Sequence, residues 1–599
     1  MTKTELPTFE RDDFILDHPP ECDMIMAGGV SSGVVYPYAV LQIATKYRLR
    51  SIGGTSAGAI AAAFAAAAEY GRRNGRPEAF LVLKKYCDEL PERLSSLFQP
   101  QPQLADVFTT AKGVINNKSL LRIFAGAKVP FAAGSVAGFL TGLTSAMLLD
   151  PTWYGGVSGS VLGCVLGGAG ATYAWGRSRL IDPLARAVKD LTKGGFGFCT
   201  GSTVPELPER PSDADLARLG LTDWMHRALQ EIAFGDPDHF RPLTFGNLRG
   251  ADPDHPDIDL KVVTTNLSME RPHTLPRLNL SAGFKEDEWR RLFPKPVMDY
   301  LCQGGGSRSW RLKDAWAFPS EASLPVLVAI RMSLSFPVLF TTVPVYIYDT
   351  ALPRLMTNLG GIARRRFVKA HFSDGGLSSN FPIHMFDSLL PGRPTFAFSI
   401  DDLPVTEEEV SQRVMLPTSA RDGFGVHVKP IAGFGKFGGQ IFHSAKNWQD
   451  ALMSEMTGQR ERIARIYLTK KEGGLNLDMD AATSRQLMMW GYEAGCKFTD
   501  GTFSFDEHRW RRMLVLYSRL RESLDRVDQV WDGGFKAWFD QYARDPGSFR
   551  SLTPAERRRI GDALDTLLGS WDELGKAPIV NARDKLPRRA GRLKIVPDY

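Results

Sequence analysis

The sequence predicts an α/β protein, and three observations support that prediction. Twice near the start of the chain a short apolar run, "CDMIMA" and then "YRLRSI", leads through a glycine-containing turn into a helical pattern. Two later runs, "DLKVVTTNL" and "TFAFSI", have the composition of buried core strands. Beyond residue 430 the pattern becomes mainly helical. Strands that alternate with helices are typical of a sheet covered by helices.

The composition is that of a folded globular protein in a reducing compartment. Hydrophobic residues make up 43% and charged residues 23% of the 599 residues, and a net charge of +6 is small for this length. Nucleic acid is therefore not an expected partner. The six cysteines are far apart and show no C-x-x-C spacing, which argues against a zinc cluster or a disulfide framework. The first residues include acidic side chains and no apolar run, so no secretory signal is expected.

The first candidate site residue is Ser56, in the sequence Gly-Gly-Thr-Ser-Ala-Gly. It follows the predicted strand "YRLRSI" and precedes an alanine-rich helix predicted over 57–70, with Gly71 as its stop. A strand that turns into a helix through G-x-S-x-G, here with Gly54 and Gly58, is the nucleophile elbow. Small flanking residues permit the strained turn, and the serine hydroxyl stands at the positive end of the helix dipole. The alternative is a serine in a tight turn without chemistry.

A loop rich in glycine and serine follows the first predicted strand. Such a loop presents free backbone N–H groups at a helix N-terminus, which suits an anion or a developing oxyanion. It lacks the Gly-Lys-Ser/Thr ending of a phosphate-binding P-loop and the G-x-G-x-x-G spacing of a dinucleotide site. The loop therefore predicts an oxyanion hole formed by Gly28, Gly29, Val30, Ser31, Ser32 and Gly33.

The second catalytic candidate is Asp374, in "HFSDGGLSSNFPI". It is predicted to end a strand. Gly375 and Gly376 follow directly and relieve Cβ crowding, so the carboxylate can approach another backbone closely or turn sharply into a loop. An Asp-Gly turn is by itself a common loop signal. Together with an elbow serine, it indicates a catalytic pair.

These blocks together resemble the patatin-like phospholipases, which are serine lipid acyl hydrolases with a Ser-Asp dyad. The glycine-rich loop, the elbow and the Asp374 motif with Asn380-Phe381-Pro382 occur in the family's order. Between them, "AIRMSLSFPVLFTTV" resembles the family's Ala/Ser-rich helix that ends in a proline. The sequence departs from the family at Val30, where a glycine is usual, and at Ser32, where a basic residue is usual.

The resemblance implies a three-layer α/β/α core without a metal or other cofactor. It also implies that Ser56 is the nucleophile, that Asp374 is the general base, and that the glycine-rich loop is the oxyanion hole. The implied substrate is a membrane phospholipid or another acyl-ester lipid.

The matching blocks predict a patatin-like domain over 20–400, interrupted by insertions over 110–200 and 200–320, and a mainly helical region over 430–599. In that last region, the capping box that starts at Thr553 predicts the start of a helix. An apolar stripe with alternating spacings of four and three predicts a helix face packed in the core. Its residues are Met513, Tyr517, Leu520, Leu524, Val527 and Trp531.

The first insertion contains two uncharged segments, 129–149 and 157–175, of a length that crosses a bilayer as a helix. Glycines recur four apart in both segments, and basic residues flank the pair. They predict a transmembrane hairpin, and with it a membrane protein whose catalytic domain faces the cytoplasm. The alternatives are two Gly/Ala-rich helices in a soluble core, or a re-entrant loop.

Two other functions remain open from the sequence. An α/β-hydrolase-type esterase would keep Ser56 and add a histidine after the acid, with His384 and His427 as candidates. A non-catalytic, membrane-bound scaffold would use the patatin-like core only to bind lipid. The sequence does not indicate protein partners.

Overall fold

A computed structural model describes residues 5–575, apart from 110–181, short gaps at 30, 209–210, 253, 305–306, 309–311, 363–365 and 547–550, and scattered positions between 419 and 478. The strands are β1 (Glu21–Met26), β2 (Arg48–Thr55), β3 (Gly197–Cys199), β4 (Asp259–Asn266), β5 (Arg271–Leu275), β6 (Ala282–Phe284), β7 (Trp316–Ala317), β8 (Val338–Phe340), β9 (Val343–Asp349), β10 (Arg366–Asp374), β11 (Thr395–Asp402), β12 (Val414–Met415) and β13 (Ile463–Leu468). The α-helices are α1 (Tyr36–Ala44), α2 (Ala57–Arg73), α3 (Ala79–Arg93), α4 (Asp182–Lys193), α5 (Asp213–Ala217), α6 (Leu221–Phe234), α7 (Phe245–Arg249), α8 (Glu286–Trp289), α9 (Lys295–Asp299), α10 (Val326–Ser333), α11 (Ala351–Asn358), α12 (Ala481–Thr499), α13 (Phe505–Val530), α14 (Lys536–Tyr542) and α15 (Pro554–Gly575).

One mixed sheet organises the described residues. Its strand order is β12-β13-β11-β1-β2-β4-β10-β9-β6-β7, with β5 paired to β4. The central strands from β13 to β4 run parallel, and β10, β9, β6 and β7 extend the sheet as antiparallel neighbours. The α/β class is confirmed, and the four runs predicted as strands form β1, β2, β4 and β11.

The region beyond residue 430 contributes to this sheet as well as to helices. Strand β13 lies parallel to β11, with Ala397 opposite Ile463. Helix α12 packs on α1, and a Cβ at Gly491 would lie 1.8 Å from the carbonyl oxygen of Val35. Only glycine therefore lets the two helices approach so closely. The boundaries of the domains stay a prediction.

Helix α2 is the alanine-rich helix after Ser56, and it runs one turn further than predicted. The helix continues through Gly71 to Arg73. A Cβ at Gly71 would lie 2.5 Å from the Cβ of Ala79, so this glycine serves close packing against α3 and does not stop the helix. The alanines of α2 are all buried, because the small side chains let the helix lie close against the sheet and its neighbouring helices.

The C-terminal helices match one prediction and contradict another. The amide N–H of Thr553 donates to a Glu556 carboxylate oxygen at 2.7 Å, and Glu556 N–H donates back to Thr553 Oγ1 at 3.3 Å, as the capping box predicts. The apolar stripe on α13 was expected in the core, but Met513 is 46% and Val527 is 43% exposed. The prediction is wrong for these two positions and for Leu520, which is 39% exposed, whereas Trp531, just beyond the end of α13, is 4% exposed.

The prediction of a transmembrane helix and of a membrane location is wrong for the part of the chain that the structure describes. No helix there is both long enough and apolar enough to cross a bilayer. The longest, α13, has Arg, Asp and Glu throughout its length. The predicted hairpin itself, 129–149 and 157–175, lies outside the described residues.

Candidate functional site

The site residues meet where the central parallel strands end. Thr55, the last residue of β2, lies opposite Val263 of β4, and the next residue of β4, Thr264, lies opposite Asp374 of β10. Two interstrand spacings, or about 10 Å, therefore separate the backbones of Thr55 and Asp374 at one level of the sheet. The chain then turns inward, because a Cβ at Gly375 would lie 2.4 Å from Thr55 Oγ1.

Ser56 occupies a strained turn between β2 and α2. Its backbone has φ 54° and ψ −126°, a combination outside even the left-handed helical region, and the residue is only 3% exposed. The flanking glycines make the turn possible. A Cβ at Gly54 would lie 2.3 Å from the carbonyl oxygen of Gly58, and a Cβ at Gly58 would lie 2.4 Å from the carbonyl oxygen of Met26. Backbone strain of this kind is typical of catalytic positions.

A buried serine on α10 holds this turn in place. The Ser56 amide N–H donates to Ser333 Oγ at 2.9 Å. Ser333 is completely buried at the last residue of α10. Two residues further on, the carbonyl oxygen of Ser335 accepts a hydrogen bond from the Asp374 amide N–H at 3.0 Å. One short segment therefore supports both predicted members of the dyad.

Asp374 is the last residue of β10, as predicted, and is 3% exposed. Its Oδ1 accepts a hydrogen bond from the Gly376 amide at 2.7 Å, which orients the carboxylate at the start of the turn. Its carbonyl oxygen accepts from Thr265 Oγ1 at 2.8 Å, which fixes the strand end to β4. The Gly376 amide thus holds the carboxylate, and the Thr265 hydroxyl holds the main chain of the same residue.

The glycine-rich loop lies against the elbow. A Cβ at Gly33 would lie 2.5 Å from the Cβ of Ala57, so only glycine allows this approach to the residue after Ser56. Ser31 and Ser32 are buried, at 1% and 2% exposure. Val30 lies outside the described residues.

One amide of the loop is already engaged within the protein. The Gly28 N–H donates to the carbonyl oxygen of Asn380 at 2.8 Å, so it does not act as a free oxyanion donor in this geometry. A Cβ at Gly28 would also lie 3.3 Å from the Cβ of Ser56. Gly28 therefore allows the loop to lie close to Ser56. The remaining predicted oxyanion donors are the amides of residues 29–33.

The side chain of Asn380 fills the space between the loop and the acid motif. Its Oδ1 would lie 2.5 Å from a Cβ at Gly28 and 2.8 Å from a Cβ at Gly376. Sequence analysis found Asn380 only as part of a motif. Its position explains why both neighbouring residues are glycines.

Sequence analysis missed Asp450, which anchors the Asn380 turn. Its carboxylate accepts hydrogen bonds from the amides of Asn380 at 2.6 Å and Phe381 at 2.9 Å, and from Ser379 Oγ at 3.3 Å. Asp450 is 8% exposed. It has no motif around it, so no sequence signal distinguishes it from a surface acid.

Sequence analysis also missed the role of Arg331, a completely buried residue of α10. Its guanidinium donates to Ser335 Oγ at 2.6 Å, to the carbonyl oxygen of Thr200 at 2.7 Å and to that of Thr341 at 3.0 Å. No carboxylate pairs with it among the described residues, and burial lowers the pKa of the guanidinium. Arg331 thus ties the Ser335 segment, which supports Asp374, to two further loops. A lone arginine in the apolar run "VLVAIRMS" is the signal that could have indicated it.

An apolar cavity, partly open to solvent, lies beside the elbow. The residues nearest to the predicted site in its wall are Ser31, Gly33 and Ala57. The remaining wall consists mainly of aliphatic and aromatic side chains from α1, α2, α3, α6 and the segment after α10. These include Phe64, Leu90, Leu97, Phe98, Trp224 and Phe340.

Of the two histidines of the alternative triad, the structure describes only His384. His384 lies half-buried in the turn after Pro382, and burial lowers the pKa of its imidazole. His427 lies outside the described residues. The triad therefore stays an untested prediction.

Comparison with known proteins identifies one close relative over the full length. No family model matches the chain. The RpoH suppressor of Rhizobium meliloti (strain 1021) is 32% identical over 644 aligned positions, which cover 96% of this chain and 99% of that protein.

The solved structures that resemble the chain include two bacterial proteins. VipD from Legionella pneumophila has 12% identity and a TM-score of 0.29, over 93% of this chain and 85% of that one. The ExoU–SpcU complex from the type III secretion system of Pseudomonas aeruginosa has 15% identity and a TM-score of 0.17, over 91% and 72%. Both TM-scores are too low to support an argument about fold or activity. The identity and coverage of the Rhizobium protein establish the relationship, and the chain belongs to the family of the RpoH suppressor.

Proposed function

We propose that the chain is a serine acyl-ester hydrolase of the patatin-like type, with a three-layer core, that acts on lipid esters. The main support is that Ser56, in a strained turn, lies between a glycine-rich loop and the Asp374 motif beside an apolar cavity. A nucleophile needs nearby groups that accept its proton and stabilise the developing charge. The cavity favours a lipid over a small polar ester.

The first half of the proposed reaction forms an acyl-enzyme. The Ser56 Oγ attacks the ester carbonyl carbon while the Asp374 carboxylate takes the hydroxyl proton. The carbonyl oxygen becomes a tetrahedral oxyanion, stabilised by amide N–H groups over 29–33. When the tetrahedral intermediate collapses, the C–O bond to the alcohol breaks, and Asp374 returns the proton to the leaving alkoxide.

The second half releases the acid. Water gives a proton to Asp374 and attacks the acyl-serine, and the bond to Ser56 Oγ breaks as the proton returns to that oxygen. The products are a fatty acid and an alcohol, and the enzyme is regenerated. The buried environment of Ser56 and Asp374 strengthens these charge interactions relative to bulk water.

The test uses the purified full chain with p-nitrophenyl esters and a mixed phospholipid extract. Ser56→Ala and Asp374→Asn should each reduce hydrolysis by at least about a thousandfold, in line with the loss of other catalytic groups. Released fatty acid and lysolipid are identified by mass. Retained hydrolysis in either variant would exclude the dyad.

Two variants serve as matched controls. Ser484→Ala removes another completely buried serine hydroxyl, on α12. Asp349→Asn changes another aspartate that ends a strand and accepts hydrogen bonds from the amides of the next turn. Both should hydrolyse esters like the wild type.

The two alternatives predict other outcomes. A triad enzyme would lose hydrolysis on His384→Ala or His427→Ala, whereas a dyad enzyme keeps it. A lipid-binding scaffold would leave Ser56 unlabelled by a fluorophosphonate probe.

A further inference from the structure

The wall of the apolar cavity includes one regular face of α2. Ala57, Ile60, Ala61 and Phe64 line it, at the spacing that places residues on one side of a helix. From Ala57 to Phe64 the helix rises about 10 Å. The cavity therefore extends along α2 for at least this distance, starting next to the predicted nucleophile.

Another part of the wall comes from α3 and the segment that follows it. Leu83, Cys87 and Leu90 lie on α3, and Leu97 and Phe98 follow. Burial raises the pKa of the Cys87 thiol well above its usual value, so this side chain is neutral. None of the described residues in the cavity wall is Asp, Glu, Lys or Arg.

A cavity with these walls disfavours the binding of charged ligand groups. A phosphate or another ionised group placed inside would lose its hydration without a counter-ion from the described wall. A hydrocarbon chain, by contrast, gains from leaving water. The head group of a lipid ester would therefore stay outside, and the acyl chain would enter.

We propose that this cavity, the acyl cavity, holds the acyl chain of the ester while its carbonyl lies at Ser56, and that Ala61 sets the chain length accepted. The proposal rests on the proposed function and makes it more specific. Ala61 lies one turn beyond Ala57 on the lining face and is 7% exposed. Its side chain is smaller than those of Ile60 and Phe64, which line the same cavity.

Burial of the chain predicts a defined dependence on length. Each methylene moved from water into an apolar site contributes about fourfold to the specificity constant kcat/KM. The rise should continue until the acyl cavity is full and then level off. A larger residue 61 should move that plateau to shorter chains.

The experiment measures kcat/KM of the purified full chain for p-nitrophenyl esters from acetate to palmitate at one fixed detergent concentration. The wild type should gain about fourfold per methylene up to its plateau. Ala61→Phe should reduce kcat/KM on long esters roughly a hundredfold more than on acetate, equivalent to three or four methylenes. Ser484→Ala, a change at a buried position of α12 that is not among the residues of the cavity wall, should keep the wild-type profile.

A binding measurement keeps the test independent of turnover and of one variant's folding. Calorimetric titration of Ser56→Ala with fatty acids of increasing length should show the same fourfold decrease in Kd per methylene. Ala61→Val, a smaller change than Ala61→Phe, should shift the plateau by less in both assays. Identical length profiles for wild type, Ala61→Val and Ala61→Phe would overturn the assignment of Ala61.

The two hypotheses fail in different ways. If acetate is hydrolysed but kcat/KM does not depend on chain length, the acyl cavity is wrong and the proposed hydrolase stands. If no ester is hydrolysed but fatty acids bind with the predicted length dependence, the cavity stands and the hydrolase fails.

Discussion

Replacing Ser56 by glycine should make the protein more stable than replacing it by alanine. At φ 54° and ψ −126° a residue with a Cβ lies outside the favoured regions, so the upper end of the usual strain, about 3 kcal/mol, applies. Glycine relieves this strain. Two effects oppose this gain. Compared with alanine, glycine lowers the free energy of unfolding by about 0.5–1 kcal/mol because its unfolded chain is more flexible, and by about 0.8 kcal/mol because it lacks the buried methyl group. The free energy of unfolding of Ser56→Gly should therefore exceed that of Ser56→Ala by roughly 1 kcal/mol.

The comparison between the two variants measures the effect of backbone strain at residue 56, because both variants lack the serine hydroxyl. Urea unfolding at 25 °C, followed by tryptophan fluorescence and circular dichroism, gives the difference. Ala537→Gly is the control, at an exposed position of α14 with ordinary helical geometry, and should be about 1 kcal/mol less stable than the wild type. If Ser56→Gly is equally or less stable than Ser56→Ala, Ser56 is not strained. Both variants should be inactive as hydrolases.

Three further changes test the surroundings of the site. Ser333→Ala leaves the buried Ser56 N–H without its acceptor and should reduce the free energy of unfolding by about 1–3 kcal/mol, with a lower kcat and little change in KM, measured by urea unfolding and ester kinetics. Asp450→Asn weakens the anchor of the Asn380 turn and should lower kcat/KM about tenfold while Ser56 still reacts with a fluorophosphonate, as charge-assisted hydrogen bonds are worth about 1.5–3 kcal/mol. Burial lowers the pKa of His226 to about 4, below its unfolded value of 6.5. The unfolded chain therefore binds a proton first, and the stability that His226 provides, present above pH 6.5, should decrease by roughly 3 kcal/mol as the pH falls to about 4. His226→Gln should flatten this part of the pH dependence of the urea midpoint, and an unchanged slope would contradict the assignment.

Local sequence was sufficient to predict the strands that lead into the site and the positions of its turns. The strand before Ser56 and the helix after it follow from β-forming residues and an alanine run on either side of small residues. Asp374 was placed at a strand end because two glycines follow it. Each of these signals lies within a few residues of the feature it predicts.

Contacts between distant parts of the chain could not be predicted in the same way. Asp450 and Arg331 act through hydrogen bonds to segments far away in sequence, and the sequence around neither residue identifies those partners. Gly71 was interpreted as a helix stop, although it is required by the approach of Ala79 from α3. The stripe on α13 has the correct period for a buried face, but periodicity does not determine whether a partner covers that face.

The position of Asp450 and β13 has a consequence for the order in which the chain is made. A nascent chain that has reached Asp374 already contains both predicted members of the dyad. It still lacks the carboxylate that anchors the Asn380 turn and the strand that covers the edge of β11. Because synthesis proceeds from the N-terminus, the site is completed only after residue 468 has left the ribosome. On the proposed mechanism, the protein would reach its full activity toward esters only after most of the chain has been translated.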